Sequence, residues 1–277
     1  MVRTLLSYCA YGSKRHPAPD SIAERRANER LEFYPYRVSR PYRLSAAPKQ
    51  YVCWIDVMGS QEIMLRSLAV ASNFLMKLHI ASLRVNEEFH LQLFPVIDGI
   101  YACSPSLGCI LTFINRIHST LAVTFILEKT EHFKFKVRSG LAYGPVMEGN
   151  KLLRCANELL RHPLHTEAIL LGSALTHAYK VEREAPPFGV ALHPSVNKAF
   201  PLSDSNLKWW KYCSRPDDYQ LACELYLSLT AHYNWCSANS EKLGYDLQDI
   251  SRHRAKVEEY FEECATLKRN KNRYIPR

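Results

Sequence analysis

The segment Tyr51-Val52-Cys53-Trp54-Ile55-Asp56-Val57-Met58-Gly59-Ser60 decides the reading of the fold. Its first seven residues are mostly β-branched or aromatic and of strand length, and Gly59-Ser60 ends the run, so a strand over 51–57 is predicted. Ser60 is the expected N-cap of a helix that follows. Met64, Leu68, Ala71, Leu75 and Leu78 recur at three- and four-residue intervals, which predicts one long helix with a single apolar face.

His90 to Ile97 alternates toward a second strand. Asp98-Gly99 carries the turn chemistry of a tight hairpin, and Ile100 to Cys103 returns as the third strand. Pro105 and Ser106 open a second helix, lined on one side by Ile110, Ile114, Ile117, Leu121 and Phe125. Phe133 to Arg138 then alternates as a fourth strand. The order β, α, β, β, α, β gives an α+β class with a ferredoxin-like βαββαβ core, an antiparallel sheet backed by helices on one face.

In that arrangement the first and third strands are neighbours, so Asp56 at the end of one meets Asp98 at the adjacent hairpin. Two carboxylates brought together repel unless cations lie between them, and such a pair is the usual protein contribution to a two-metal phosphoryl-transfer site. The backbone at Met58, Gly59 and Ser60 enters the following helix where free N–H groups favour phosphate. Each acid taken alone reads as a strand-end cap or a turn former; their joint placement favours the metal reading.

Outward from this core, residues 1–49 are rich in Pro, Arg, Ser and Tyr without a period and read as an extended basic arm. A catalytic domain is expected over 50–199, including a helix around Gly172 to Glu184 and a short strand at Gly189 to Leu192. Residues 200–277 read as a mostly helical C-terminal extension. With 277 residues, 47% of them hydrophobic, the chain can fill a sizeable core. The apolar segment Leu107 to Leu127 is interrupted by Asn115, Arg116 and His118, so a buried helix rather than a membrane span is expected there. No secretory leader is read at the N-terminus, and a cytoplasmic protein is expected. The nine cysteines form no C-x-x-C pair, which speaks against a zinc ribbon or a disulfide framework.

A net charge of +9 attracts polyanions, either nucleic acid or a nucleotide triphosphate. Basic ends and the adjacent Trp209 and Trp210 are the features a nucleic-acid binder would use, and this is the weaker reading. Lys208 and Lys211 read as a solvated face, and His162 and His165 as loop residues rather than metal ligands. There is no G-x-x-x-x-G-K loop and no G-x-G-x-x-G after a strand, which excludes P-loop hydrolysis and dinucleotide binding by those motifs.

Four stretches resemble the class III nucleotidyl cyclases. Trp54 to Gly59 is similar to that family's Phe-x-Asp-Ile-x-Gly motif, and Val96 to Tyr101 to its Ile-Gly-Asp-x-x-Tyr hairpin. Val137 to Val146 resembles the Val-Arg-x-Gly-Ile-x-x-Gly-x-Val strand, and Gly172 to Lys180 the Gly-x-x-Val-Asn-x-Ala-x-Arg helix start. The resemblance covers about residues 50–195. It implies that Asp56, the Val57 backbone and Asp98 hold two Mn2+ or Mg2+ ions, and that Thr176 and Lys180 stand where the family has its transition-state Asn and Arg. Two copies, head to tail, would share each site.

At the positions of the purine-reading pair stand Phe94 and Ile169, which cannot read a purine edge by hydrogen bonding; with Tyr51 they would form a small, dry base pocket. This departure resembles the pyrimidine cyclases of bacterial Pycsar antiphage systems. The implied activity makes cyclic UMP or cyclic CMP from UTP or CTP and activates a separate effector protein, with no membrane role. A catalytically silent, nucleotide-binding or dimerising module is the alternative.

Overall fold

The computed structural model describes residues 47–154, 161–199, 205–212 and 214–265. The expected N-terminal arm, up to residue 46, and the basic stretch Lys268 to Arg277 lie outside the described residues. In the larger of two units, Pro48–Val146 joined with the chain from Leu171 onward, β1 (Lys49–Val57) leads into α1 (Ser60–Arg66) and α2 (Leu68–Asn86). The hairpin of β2 (Gln92–Val96) and β3 (Gly99–Ser104) follows, then α3 (Leu107–Leu127) and β4 (Val137–Pro145). The expected βαββαβ order is therefore present.

The predicted single long helix is two. Ser67 adopts an extended backbone between α1 and α2 and caps α2 by accepting from the Val70 N–H at 3.4 Å. The fourth strand begins at Val137, not at Phe133. β1 runs out of partners where Val57 faces Val137, so Glu131–Phe133 forms a 3-10 turn instead. The alternation of Phe133 to Arg138 was a burial pattern without a neighbouring strand to pair with.

A smaller unit comprises, among the described residues, Ala47 and Met147–Leu170. It holds β5 (Met147–Glu148), α4 (Pro163–Glu167) and the start of β6 (Leu170–Leu171), with β5 paired to β6. His162 and His165 belong to the start and the body of α4. The larger unit resumes with α5 (Ser173–Glu182), β7 (Val190–Leu192), α6 (Pro194–Ala199), β8 (Asn206–Leu207), α7 (Asp218–Ala238), α8 (Ser240–Leu243) and α9 (Leu247–Tyr260).

The main sheet has six strands in the order β2-β3-β1-β4-β7-β8. It is mixed, because β7 runs parallel to β4, and its helices are not confined to one face. Period-two alternation sorts β1 into Tyr51, Cys53, Ile55 and Val57 on one side and Val52, Trp54 and Asp56 on the other. The first set joins the main core with α2, α3 and α7. The second set faces α5, whose Val181 packs with Ala185 and Ala191 in a small separate cluster.

α3 is the one helix among the described residues long and apolar enough to cross a membrane, by length and composition. Here it is a core helix: Ile110, Phe113, Ile114, Ile117, Leu121 and Phe125 are buried. Its polar interruptions are used internally. Asn115 donates to the Trp209 carbonyl at 3.0 Å and to Asp218 at 2.9 Å, and His118 Nε2 lies 2.9 Å from Ser139 Oγ. The C-terminal helices share this core, contributing Leu225, Leu229, Tyr233, Ile250 and Val257. Trp209 and Trp210 are buried in it rather than offered for base stacking, and Lys208 and Lys211 pair with Glu263 at 2.9 and 2.7 Å.

Candidate active site

Asp56 and Asp98 are brought together as the strand order predicts. Asp56 stands opposite Gly99 in the β1–β3 register, and the next residue's N–H, that of Val57, donates to the Asp98 carbonyl at 3.3 Å. The hairpin can approach this closely because a β-carbon on Gly99 would stand 2.4 Å from the Trp54 ring. Trp54 fills that gap and continues outward to Tyr101, ring centroids 4.4 Å apart.

Ser60 is not the N-cap the sequence suggested. Gly59 occupies the cap position and Ser60 is the first residue of α1. Its hydroxyl donates instead to Asp98 Oδ2 at 2.5 Å, a charge-assisted bond that fixes the carboxylate's direction. Of the three amides expected to cradle phosphate, that of Met58 is committed to the Lys136 carbonyl at 2.8 Å.

Two charged residues complete the site without having been singled out in the sequence. Arg138 stands opposite Asp56 in the β1–β4 register, with Nη2 4.0 Å from Asp56 Oδ2. Its Nε donates to Glu182, a side chain 2% exposed at the end of α5. Arg138 lay within a quoted motif, but only strand pairing could reveal that it faces Asp56. Glu182 lies two residues past the matched helix motif, and no local signal in the sequence marks it.

Burial pushes the Asp56 carboxyl up to about 8; the charges of Glu182 and Asp98 add to this and Arg138 opposes it. Burial also raises Glu182 above the usual carboxylate range, against the pull of Arg138. Asp56 and Glu182 also share a side-chain hydrogen bond, so the carboxyl groups that face the one guanidinium hold a proton between them. Among the described residues no three His, Cys, Asp or Glu side chains converge as a closed metal cage.

The loop is braced from the C-terminal helices. Lys136, whose carbonyl holds Met58, donates from Nζ to His232 Nε2 at 3.3 Å, and His232 Nδ1 lies 2.7 Å from Glu131 Oε2. This network makes His232 a neutral imidazole donating through Nδ1. α1 is tied to the same region by Arg66, which donates to the carbonyls of Leu243 and, at 3.3 Å, Gly244.

The remaining expected residues are not gathered. Thr176 and Lys180 are exposed on α5, whereas the face of α5 turned to the sheet carries Ala174, Ala178, Val181 and Glu182. Within one chain they do not meet Asp56. Phe94 is half-buried on β2 opposite Tyr101, on the Asp56 side of the sheet. Tyr51 points to the opposite side, its ring 4.5 Å from that of Tyr143, because an odd offset from Asp56 reverses the face. Ile169 belongs to the smaller unit, where its carbonyl accepts from the Gly149 N–H at 2.8 Å.

No family model matches the chain, and no curated protein matches it. Among solved structures it is similar to the catalytic core of a rhodopsin-guanylyl cyclase with converted specificity in complex with ATPαS. The identity is 17% over 55% of this chain and 80% of that one, with a TM-score of 0.43. It is also similar to a guanylate cyclase domain from Catenaria anguillulae in complex with GTP (15%, 55% and 81%, TM-score 0.39). A bacterial light-regulated adenylyl cyclase is a third (15%, 73% and 58%, TM-score 0.40).

Proposed function

We propose that the chain is a nucleotidyl cyclase of the class III type that converts a pyrimidine triphosphate, UTP ahead of CTP, to its 3′,5′-cyclic monophosphate and pyrophosphate. The observation that carries this reading is the meeting of Asp56 and Asp98 at adjacent strand ends, with Ser60 aiming Asp98 and further carboxyl and guanidinium groups gathered around Asp56. Asp56, Asp98 and the Val57 carbonyl would hold Mn2+ or Mg2+, which would supply activation of the ribose 3′-hydroxyl and charge neutralisation on the triphosphate, while the amides of Gly59 and Ser60 would orient the phosphates.

Thr176 and Lys180 face outward, so they serve the site of a second copy, Lys180 offering positive charge and Thr176 a hydroxyl. A homodimer with shared sites follows from this division. Base selection is assigned to Phe94, which lacks the hydrogen-bonding groups that would read a purine; Tyr51, on the other face of the sheet, is withdrawn from that role. The cyclic nucleotide would act in the cytoplasm as an antiviral second messenger on a separate effector protein.

The test is incubation of dimeric protein with Mn2+ and each of ATP, GTP, CTP and UTP, with products identified by mass and Asp56→Ala as control. A cyclic pyrimidine monophosphate lost in the variant is the expected result. Turnover of ATP or GTP alone would overturn the base assignment, and no turnover of any nucleotide would leave a silent nucleotide-binding module.

A further inference from the structure

The C-terminal helices lie outside the stretch that resembles a cyclase, yet α9 is tied to both flanks of the candidate site. On one flank, Lys256 Nζ donates to the Glu184 carbonyl at 3.1 Å, two residues past the Glu182 that bonds Arg138. On the other, the turn leading into α9 is held to α1 by Arg66 through the Leu243 and Gly244 carbonyls. The first residue of α1 is the Ser60 that aims Asp98.

The residues that α9 brings here are basic. Arg252 and Lys256 stand one turn apart on the helix. Burial lowers Lys256 below the usual lysine range, and the positive charges of Arg138 and Arg252 lower it further, against Glu184 and Glu259. Two of the nearby acids are engaged elsewhere: Glu182 bonds Arg138, and Asp249 pairs with Arg252 at 2.8 Å. Lys256 itself forms no ion pair among the described residues, and its hydrogen bond is to a neutral carbonyl. His253 adds no charge, because burial lowers it to about 4 and its Nδ1 lies 2.5 Å from the Tyr245 hydroxyl. Like charges gathered in this way are costly until an anion comes among them.

We infer that Lys256, with Arg252 one turn before it, is a polyphosphate-binding residue through which the C-terminal extension holds the terminal phosphates of the substrate. Naming that anion a nucleoside triphosphate rests on the proposed cyclase reading of Asp56 and Asp98. α9 then serves the end of the triphosphate that leaves. A cation there favours departure of pyrophosphate, whose negative charge grows as its bond to the α-phosphorus breaks.

The test is calorimetric titration of the full chain with inorganic tripolyphosphate, in metal-free buffer at low salt, where exposed charges are least screened. Wild type, Lys256→Gln, Lys256→Arg and Arg254→Gln are compared, with circular dichroism as a check on folding. Arg254 is the control of equal charge on the same helix, engaged by Glu258 at 3.0 Å and Asn234 at 3.1 Å. Lys256→Gln is expected to weaken binding about fivefold or more, while Lys256→Arg and Arg254→Gln stay within about twofold of wild type. Lys256→Gln within twofold of wild type overturns the inference, and so does a wild type that binds no tripolyphosphate. An Arg254→Gln as weak as Lys256→Gln also overturns it, since net charge alone would then draw the anion. If Lys256→Gln does not fold, Arg252→Gln decides, and unchanged binding overturns the inference. Nucleotide turnover separates the two readings. A wild type that makes a cyclic nucleotide with the same KM as Lys256→Gln overturns the role of Lys256 alone; a wild type that makes none, yet loses tripolyphosphate in Lys256→Gln, removes the cyclase reading and leaves α9 a polyphosphate site.

Discussion

The carbonyl oxygen of Ala178 lies 2.1 Å from where a β-carbon on Gly140 would stand. α5 therefore touches β4 backbone to backbone at Gly140, and it packs again on the same strand where Ser173 and Ala174 meet Gly144. Gly140→Ala forces the helix away from the strand. An overpacking cost of about 3 kcal/mol is expected, measured by urea unfolding, together with loss of cyclase activity. A variant as stable and active as wild type would show that α5 is held by something else.

Ser60 gives a sharper probe of the metal side because its hydroxyl spans 2.5 Å to Asp98 and serves no helix cap. Ser60→Ala removes a bond to a charged acceptor, about 1.5 to 3 kcal/mol of aim on that carboxylate. The expected loss in kcat/KM is about tenfold to a hundredfold, with Ser60→Thr restoring most of it and the melting temperature nearly unmoved. Equal activity in Ser60→Ala would mean that Asp98 needs no hydroxyl to hold its direction.

Asp218 shows how the C-terminal helices are bound to the sheet domain. The carboxylate is buried and accepts from Asn115, from Ser119 at 3.1 Å and from the Arg215 N–H at 2.7 Å. Asp218→Ala strands all three donors and is expected to cost about 3 kcal/mol in chemical denaturation. A loss under about 1 kcal/mol would mean that water replaces the carboxylate.

Two buried histidines set the acid side of the stability profile. Burial lowers His118 to about 3, and burial reinforced by Lys136 lowers His232 to about 3. The folded state keeps both neutral while the unfolded chain takes up protons below about 6.5. Stability is therefore lost as pH falls from about 6.5 toward 3, at about 1.4 kcal/mol per pH unit for each group. Urea unfolding at pH 7 and pH 5 should show this slope, and His118→Asn should flatten it.

The sequence disclosed what depends on local order and short period. The run to Val57, the Asp98-Gly99 turn and the apolar stripe of α3 each announce themselves within a few residues, and the strand order follows from them. What it withheld is set across the sheet. That Arg138 faces Asp56 depends on the pairing register, that Tyr51 turns away from it on the parity of the offset, and that Glu182 reaches the site on the close approach at Gly140. The break at Ser67 and the late start of β4 were hidden for a related reason: apolar spacing reports burial on both sides of a kink and before a strand finds its partner.

Asp56 itself carries the strongest conflict between stability and the proposed chemistry. Its carboxyl is pushed up to about 8 by burial and by the charges of Glu182 and Asp98, so the folded state retains a proton that the unfolded chain has released above about 3.9. Stability without metal therefore falls as pH rises from about 4 to 8, because ionising Asp56 in place is unfavourable. Asp56→Asn cannot ionise and escapes this loss. At pH 8.5 and without metal the variant is expected to melt above wild type, with the gap closing toward pH 4, and it should be inactive. Adding Mn2+ should raise the melting temperature of wild type and leave Asp56→Asn unchanged, since binding to the folded state alone stabilises it. A wild type that melts as high as Asp56→Asn at pH 8.5 in the absence of metal would mean that Arg138 alone compensates the site's negative charge.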